Sequence, residues 1–151
     1  MIIWIDADAA PRVIKEIVYK AAQRTGAPVV LVANSYMRVP ENPLFGFKLV
    51  GRGPDEADHH IEESMTKGDI IITADIPLAA KVVAKEGRVI NPAGKEYTKE
   101  NMGERLATRN LMTDLRSAGV ETGGPAALSK KNIQAFANIL DRLLARYKRG
   151  N

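Results

Sequence analysis

The sequence predicts a three-layer α/β/α fold around a central, mostly parallel sheet, with helices closing the C-terminal third. Three short apolar runs predict it: Ile2-Ile3-Trp4-Ile5, Val29-Val30-Leu31-Val32-Ala33 and Ile70-Ile71-Ile72. None has a polar face, the pattern of strands covered on both sides, as in a parallel sheet. Stretches with helical spacing separate the runs, and strand–helix alternation implies right-handed crossovers that place helices against the sheet. At 151 residues the chain fits one domain, large enough to bury about 70% of its unfolded surface.

The elements follow in order. Pro11 suits the start of a helix that carries Val13, Ile14, Ile17, Val18, Ala21 and Ala22 on one face and closes at Thr25-Gly26. After the second strand, Pro40 and Pro43 mark a loop, and Phe47–Val50 reads as a weaker edge strand. A helix over 55–67 turns Ala57, Ile61 and Met65 inward, and Gly68 ends it. Asp69–Asp75 is the third strong strand, followed by a Pro77-initiated helix to Gly87 and a short strand over 88–92. Thr98 is the N-cap of a helix running to about Ser117, residues 122–125 form a turn, and Ser129 caps a last helix with an apolar stripe from Ile133 to Leu144.

Composition narrows the chemistry. The chain has no cysteine, which excludes disulfides, thiolate metal sites and a cysteine nucleophile. The first apolar run is short, lacks a basic flank and ends in carboxylates, unlike a signal peptide or a membrane span. The expectation is a cytoplasmic protein with no membrane partner. The net charge of +4 is unevenly spread: residues 1–75 hold 8 basic and 11 acidic side chains, residues 76–151 hold 14 and 7. Basic helices beside an acidic site would suit an anionic substrate, although charged residues also decorate ordinary exposed helices.

The carboxylates carry the sharper signal. Asp6 and Asp8 follow the first strand, Asn34 and Ser35 the second, and Asp75 the third. In an open parallel sheet these positions share one rim, where ligands bind. Residues i and i+2 of an extended chain point the same way, so Asp6 and Asp8 are expected to converge. Asp58 flanks the buried face of its helix and can lean toward the same rim. Each has a plain structural alternative: Asp75 as an N-cap, Asp58 in a capping box with Asp55, Asp8 as a cap of the first helix. Asp6 is the hardest to explain structurally, because it closes an apolar strand. Converging carboxylates repel unless a cation sits between them. Hard oxygen ligands without cysteine suit Mg²⁺ or Mn²⁺, which handle phosphate oxygens and activate water. The candidate catalytic and metal-binding set is therefore Asp6, Asp8, Asp58 and Asp75. Asn34, Ser35 and Thr73 on the rim, and Arg105 and Arg109 on one face of their helix, are candidates for substrate binding; Arg142 and Arg146 form a second basic stripe. His59 and His60 are adjacent, cannot chelate together, and read as exposed.

The segments IWIDADAAP, LVANS, RVP, ADHHI, GDIIITADIPLA, NPAGKEYT, ERLATRN and TGGPAALS resemble the bacterial YaiI/YqxD family, grouped with the PIN-like nucleases. The PIN-like resemblance implies a parallel sheet, acidic residues matching Asp6, Asp58 and Asp75, Mg²⁺ or Mn²⁺ binding, RNA cleavage by metal-activated water, and dimerisation. This chain has Ala10 where the family usually has Cys, which removes an essential thiol there. Two alternatives stay open. Asp6-Ala-Asp8 with Asn34-Ser35 also resembles the haloacid-dehalogenase phosphatase order, with Asp6 as nucleophile, though a clear later lysine and paired acidic motif are lacking. The third is an idle PIN-like module that binds RNA or protein.

Overall fold

A computed structural model describes residues 1–53, 55–104, 106–107 and 128–149. It is a three-layer α/β/α fold. The strands are β1 (Ile3–Asp6), β2 (Val29–Ala33), β3 (Phe45–Leu49), β4 (Ile70–Ile72), β5 (Arg88–Asn91) and β6 (Lys95–Tyr97). The helices are α1 (Arg12–Thr25), α2 (Glu56–Ser64), α3 (Ile76–Ala84), α4 (described over 99–104 and 106–107) and α5 (Lys130–Arg149).

The sheet order is β3-β2-β1-β4-β5-β6. β1 lies in the middle, with Ile3 opposite Val29 and Ile70, and Ile5 opposite Leu31 and Ile72. The first five strands are parallel, and β6 runs antiparallel to β5. Alternation along the strands sorts the core into two layers. Ile3, Ile5, Leu31 and Ile72 face Ile14 and Val18 of α1 and Phe136 and Leu140 of α5. Trp4, Val32 and Ile71 face Ile61 of α2, Leu78 and Val82 of α3, and Met102 of α4. All of these are buried.

Local chemistry sets the element ends. Gly26 closes α1 with φ 82°, its N–H reaching Ala22 O at 2.7 Å. Thr98 and Asn101 cap α4 reciprocally, each backbone N–H donating to the other's side chain at 2.9 and 3.3 Å. Ser129 and Asn132 repeat the arrangement at α5, both at 3.1 Å. Asn132 also donates to Ala93 O, and a Cβ on Gly94 would stand 2.6 Å from Asn132 O. The β5–β6 turn can approach α5 this closely because residue 94 is glycine, here at φ 86°.

Several boundaries differ from the sequence expectation. The edge strand begins at Phe45 and ends at Leu49, since β2 pairs with it from Val29 onward. α2 stops at Ser64, after which Met65 is extended. β4 is only Ile70–Ile72, shorter than the expected Asp69–Asp75. Pro11 is the cap residue before α1, not its first residue, as its ψ of 150° shows. β6 was not anticipated. The expected turn over 122–125 and the part of α4 beyond 107 lie outside the described residues.

Candidate functional site at the sheet switch point

The strand order reverses direction at β1. The chain moves outward through β2 and β3, then returns to place β4 on the other flank of β1. Ligands in doubly wound sheets bind outside the carboxyl ends of the strands at such a point. Asp6 is the last residue of β1, and Thr73 and Asp75 follow β4, so the crevice of the fold has these residues on its floor.

Asp6 is half-buried, and its Oδ2 accepts a hydrogen bond from the Thr73 hydroxyl at 3.0 Å. Burial pushes its carboxyl above the usual range. The Thr73 bond opposes this, while the charges of Asp75 and Asp8 add to it. Asp75 is the N-cap of α3, accepting from Leu78 N at 2.9 Å. Its own N–H donates to the Thr73 oxygen at 3.0 Å. The capping role is thus real, but it occupies one side of the carboxyl and leaves room for a second relationship with Asp58. Asp58, in the first turn of α2, is half-buried. Its pKa is raised from 3.8 to about 7 by burial first, then by the charge of Asp75 and a hydrogen bond with that carboxyl, and by the charges of Asp6 and Asp55. Asp55 stands at the N-cap of α2 but forms no side-chain cap bond.

The remaining candidates divide. Asp8 does not continue an extended strand beside Asp6: residues 7–10 turn, with Ala10 N–H on Ala7 O. Its exposed side chain instead accepts from Asn34 N at 2.8 Å, tying the loop after β1 to the loop after β2. Asn34 is half-buried and Ser35 exposed on that rim. Thr73 is 1% exposed, and its hydroxyl is engaged by Asp6 and Asp75, so it reaches a substrate only through them. Arg105 and Arg109 lie outside the described residues. Arg142, in the second basic stripe, is paired with Glu96. His59 is exposed as expected, but His60 is half-buried, edge-on to Trp4 with ring centroids 6.1 Å apart.

The donor set offers only oxygen, and its carboxyls are held against one another, as suits a hard divalent cation. The arrangement is not a finished cage. Among the described residues no group of three or more His, Asp or Glu side chains is set to hold a metal ion. A divalent cation held here would need the carboxylates to draw closer together. The fit therefore lies in the donor chemistry.

One residue missed by the sequence reading stands at the opposite end of the same strands. Asp69 is 1% exposed and accepts from Ile2 N, Trp4 Nε1 and Thr66 N at 2.9, 3.0 and 2.9 Å. Its position just before β4, at the strand end opposite the rim, and its three donors make it a structural anchor. A lone carboxylate ahead of an apolar run was the available signal.

Fold and rim together define a doubly wound α/β protein with a carboxylate cluster at its switch point. The chain belongs to the YaiI/YqxD family, whose model, described as "Uncharacterized BCR", matches residues 4–146. It is 54% identical to a UPF0178 protein of Syntrophotalea carbinolica, over 97% of this chain and 99% of that one. Identity is 51% to UPF0178 proteins of Thioalkalivibrio sulfidiphilus, covering 97% and 99%, and of Legionella pneumophila strain Philadelphia 1, covering 98% and 100%. No solved structure gives a significant match. Among the described residues no helix is long and apolar enough to cross a membrane.

Proposed function

We propose that this protein is a cytoplasmic nuclease of PIN-like type, hydrolysing phosphodiester bonds of RNA with Mg²⁺ or Mn²⁺ bound by Asp6, Asp58 and Asp75, and Asp8 at the margin. The observation that carries the reading is the gathering of Asp6, Asp58 and Asp75 at the switch point, where burial and mutual charge raise Asp6 and Asp58 above the normal carboxylate range. Such opposition is costly to a fold and is relieved by a cation. A bound divalent ion supplies an acidified water and neutralises charge at the phosphorus centre.

The protein's own groups have distinct tasks. Thr73 donates to Asp6 and accepts from the Asp75 N–H, which fixes the relative position of the two acids. The start of α3 holds Asp75 through Leu78 N–H. Asp58 holds or releases a proton near neutral pH, within the working range of a general acid or base.

Calorimetric titration of Mn²⁺ into the wild type and into an Asp6→Asn, Asp75→Asn double variant tests the first half of the reading. Binding by the wild type alone is expected, and no heat from either protein removes the metal nuclease. Incubation with a pool of structured and unstructured RNAs then tests the chemistry. Metal binding with an intact pool transfers the assignment to a non-catalytic binding module.

A further inference from the structure

A second feature lies on the α1 side of the sheet. A cleft of about 400 Å³ is lined by Arg12, Lys15, Glu16 and Tyr19 of α1 and by Arg38 and Pro40 from the segment after β2. Its two walls continue the two loops that Asp8 and Asn34 tie together, since Arg12 follows Asp8 by four residues and Arg38 follows Asn34 by four. The Arg12 and Arg38 end of the cleft therefore continues from the loops after β1 and β2.

Its charge is positive and partly uncommitted. Arg12 is 90% exposed, and its one ion pair among the described residues is with Glu16, one turn along α1, at 3.2 Å. Lys15 contacts the Met37 sulfur at 3.7 Å, a neutral partner. Arg38 is exposed and forms no ion pair with any described residue. Three cations against the single anion Glu16 leave a net attraction for phosphate. The segment that supplies Arg38 also carries Tyr36, which is 79% exposed and pairs with Phe47 in a T-shaped contact, centroids 5.8 Å apart. The Phe47 contact steadies the ring, most of which stays open to solvent. A large aromatic this exposed gains little from folding, and a ring face beside a cationic track is how unpaired bases are held.

We propose that this cleft is the binding track for single-stranded nucleic acid, with Arg12, Lys15 and Arg38 on consecutive phosphates and Tyr36, from the segment that carries Arg38, stacking on an unpaired base. The proposal deepens the nuclease reading and rests on it for orientation along the rim, but binding can be measured without cleavage. Duplex bases are already stacked and hidden from Tyr36, so a duplex gains only the phosphate contacts.

The test uses the full chain in EDTA, with fluorescence anisotropy of a labelled single-stranded RNA of about ten nucleotides. The wild type should prefer it to the matched duplex. Arg12→Glu with Arg38→Glu should weaken binding roughly tenfold or more and flatten the dependence of log affinity on log salt by about 1.4, the share of two phosphate contacts on a single strand. Tyr36→Ala should weaken single-strand binding at least about fivefold with the salt slope kept and duplex binding unchanged. All three side chains are exposed, so the variants keep the fold, which circular dichroism verifies. Unchanged affinity in the double Arg variant, or equal binding of duplex and single strand, overturns the track whatever the fate of the nuclease reading. Binding that follows these expectations in a protein that leaves RNA intact with Mn²⁺ sustains the track and overturns the nuclease.

Discussion

The two ends of the β1–β4 seam each bury carboxylates, and they handle them in opposite ways. At the amino end, Asp69 is enclosed and meets three N–H donors, one from the chain start, one from the Trp4 indole and one from the loop before β4. At the carboxyl end, Asp6 and Asp75 each accept from one donor, the Thr73 hydroxyl and Leu78 N–H, while the charges of the acids oppose one another. A buried acid surrounded by donors contributes to a unique fold. A half-buried acid opposed by neighbouring acids gains less, and its persistence points to a task outside folding. The difference also follows from the topology. Parallel strands begin where loops can fold back with free N–H groups, whereas they end at a crevice open to ligands.

The largest expected effect separates the two ends by what they disturb. Asp6→Asn or Asp75→Asn should lower Mn²⁺-dependent RNA cleavage by more than about 100-fold, since even outer-sphere partners of metal ligands are worth 10–100-fold. Their melting temperatures should stay level or rise, because each change removes a repelling charge. Asp69→Asn should behave in reverse. Its amide would present a donor to Trp4 Nε1–H and Thr66 N–H, which share Oδ2. The expected cost is about 2–4 kcal/mol, a drop in melting temperature of roughly 5–12 °C, with cleavage by the folded fraction retained. Loss of activity in Asp69→Asn at a temperature where it is fully folded would break the comparison.

A smaller effect tests the electrostatic argument through pH. Asp58 holds its proton in the folded state up to about pH 7, whereas an unstrained carboxyl releases it near 3.8. Between these values the folded state binds more protons than the unfolded chain, so this group's contribution to stability falls as pH rises through the interval. Asp58→Asn should therefore match the wild type near pH 4 and exceed it at pH 8 by about 1–2 kcal/mol, a figure reduced for the partial solvent access of the site. Mn²⁺ should erase the advantage by stabilising the wild type alone. Thermal melts at the two pH values, with and without Mn²⁺, measure this, and a wild type as stable as the variant at pH 8 without metal contradicts it.

The rim was legible because it follows from a rule about strands. Three apolar runs each ending in a polar residue suffice to put Asp6, Asn34 and Asp75 on one edge. Thr98 and Ser129 were legible as caps for a similar reason, since a cap is a local event within four residues. What escaped depended on partners distant in sequence or on the path of a turn. Thr73 was expected to face a substrate, but its hydroxyl bonds a residue 67 positions away. The bonds of Asp69 to Ile2 and Trp4 span 67 and 65 positions. Asp8 left the direction of Asp6 because the chain turns at Ala7, and β6 is three residues with charged Lys95 and Glu96, too short and polar to show a period. Arg12, Arg38 and Tyr36 come from separate segments, so no spacing within one helix announces them.

Thr73 offers the finest test, because it joins the two acids without belonging to the charge cluster. Thr73→Val keeps the shape of a buried side chain while removing one bond to Asp6 and one from the Asp75 N–H. The expected cost in stability is about 1 kcal/mol. The bond to Asp6 favours its ionised form, so its removal lets Asp6 hold a proton to higher pH. The acidic limb of the pH–cleavage profile should then move upward by less than about one unit, with a roughly tenfold loss of rate at its plateau from the freed carboxylate. Thr73→Ser, which restores the hydroxyl, should recover the profile while retaining some loss of stability from the missing methyl. A packing role alone predicts the opposite order, with Val the better replacement and the pH profile unmoved in both.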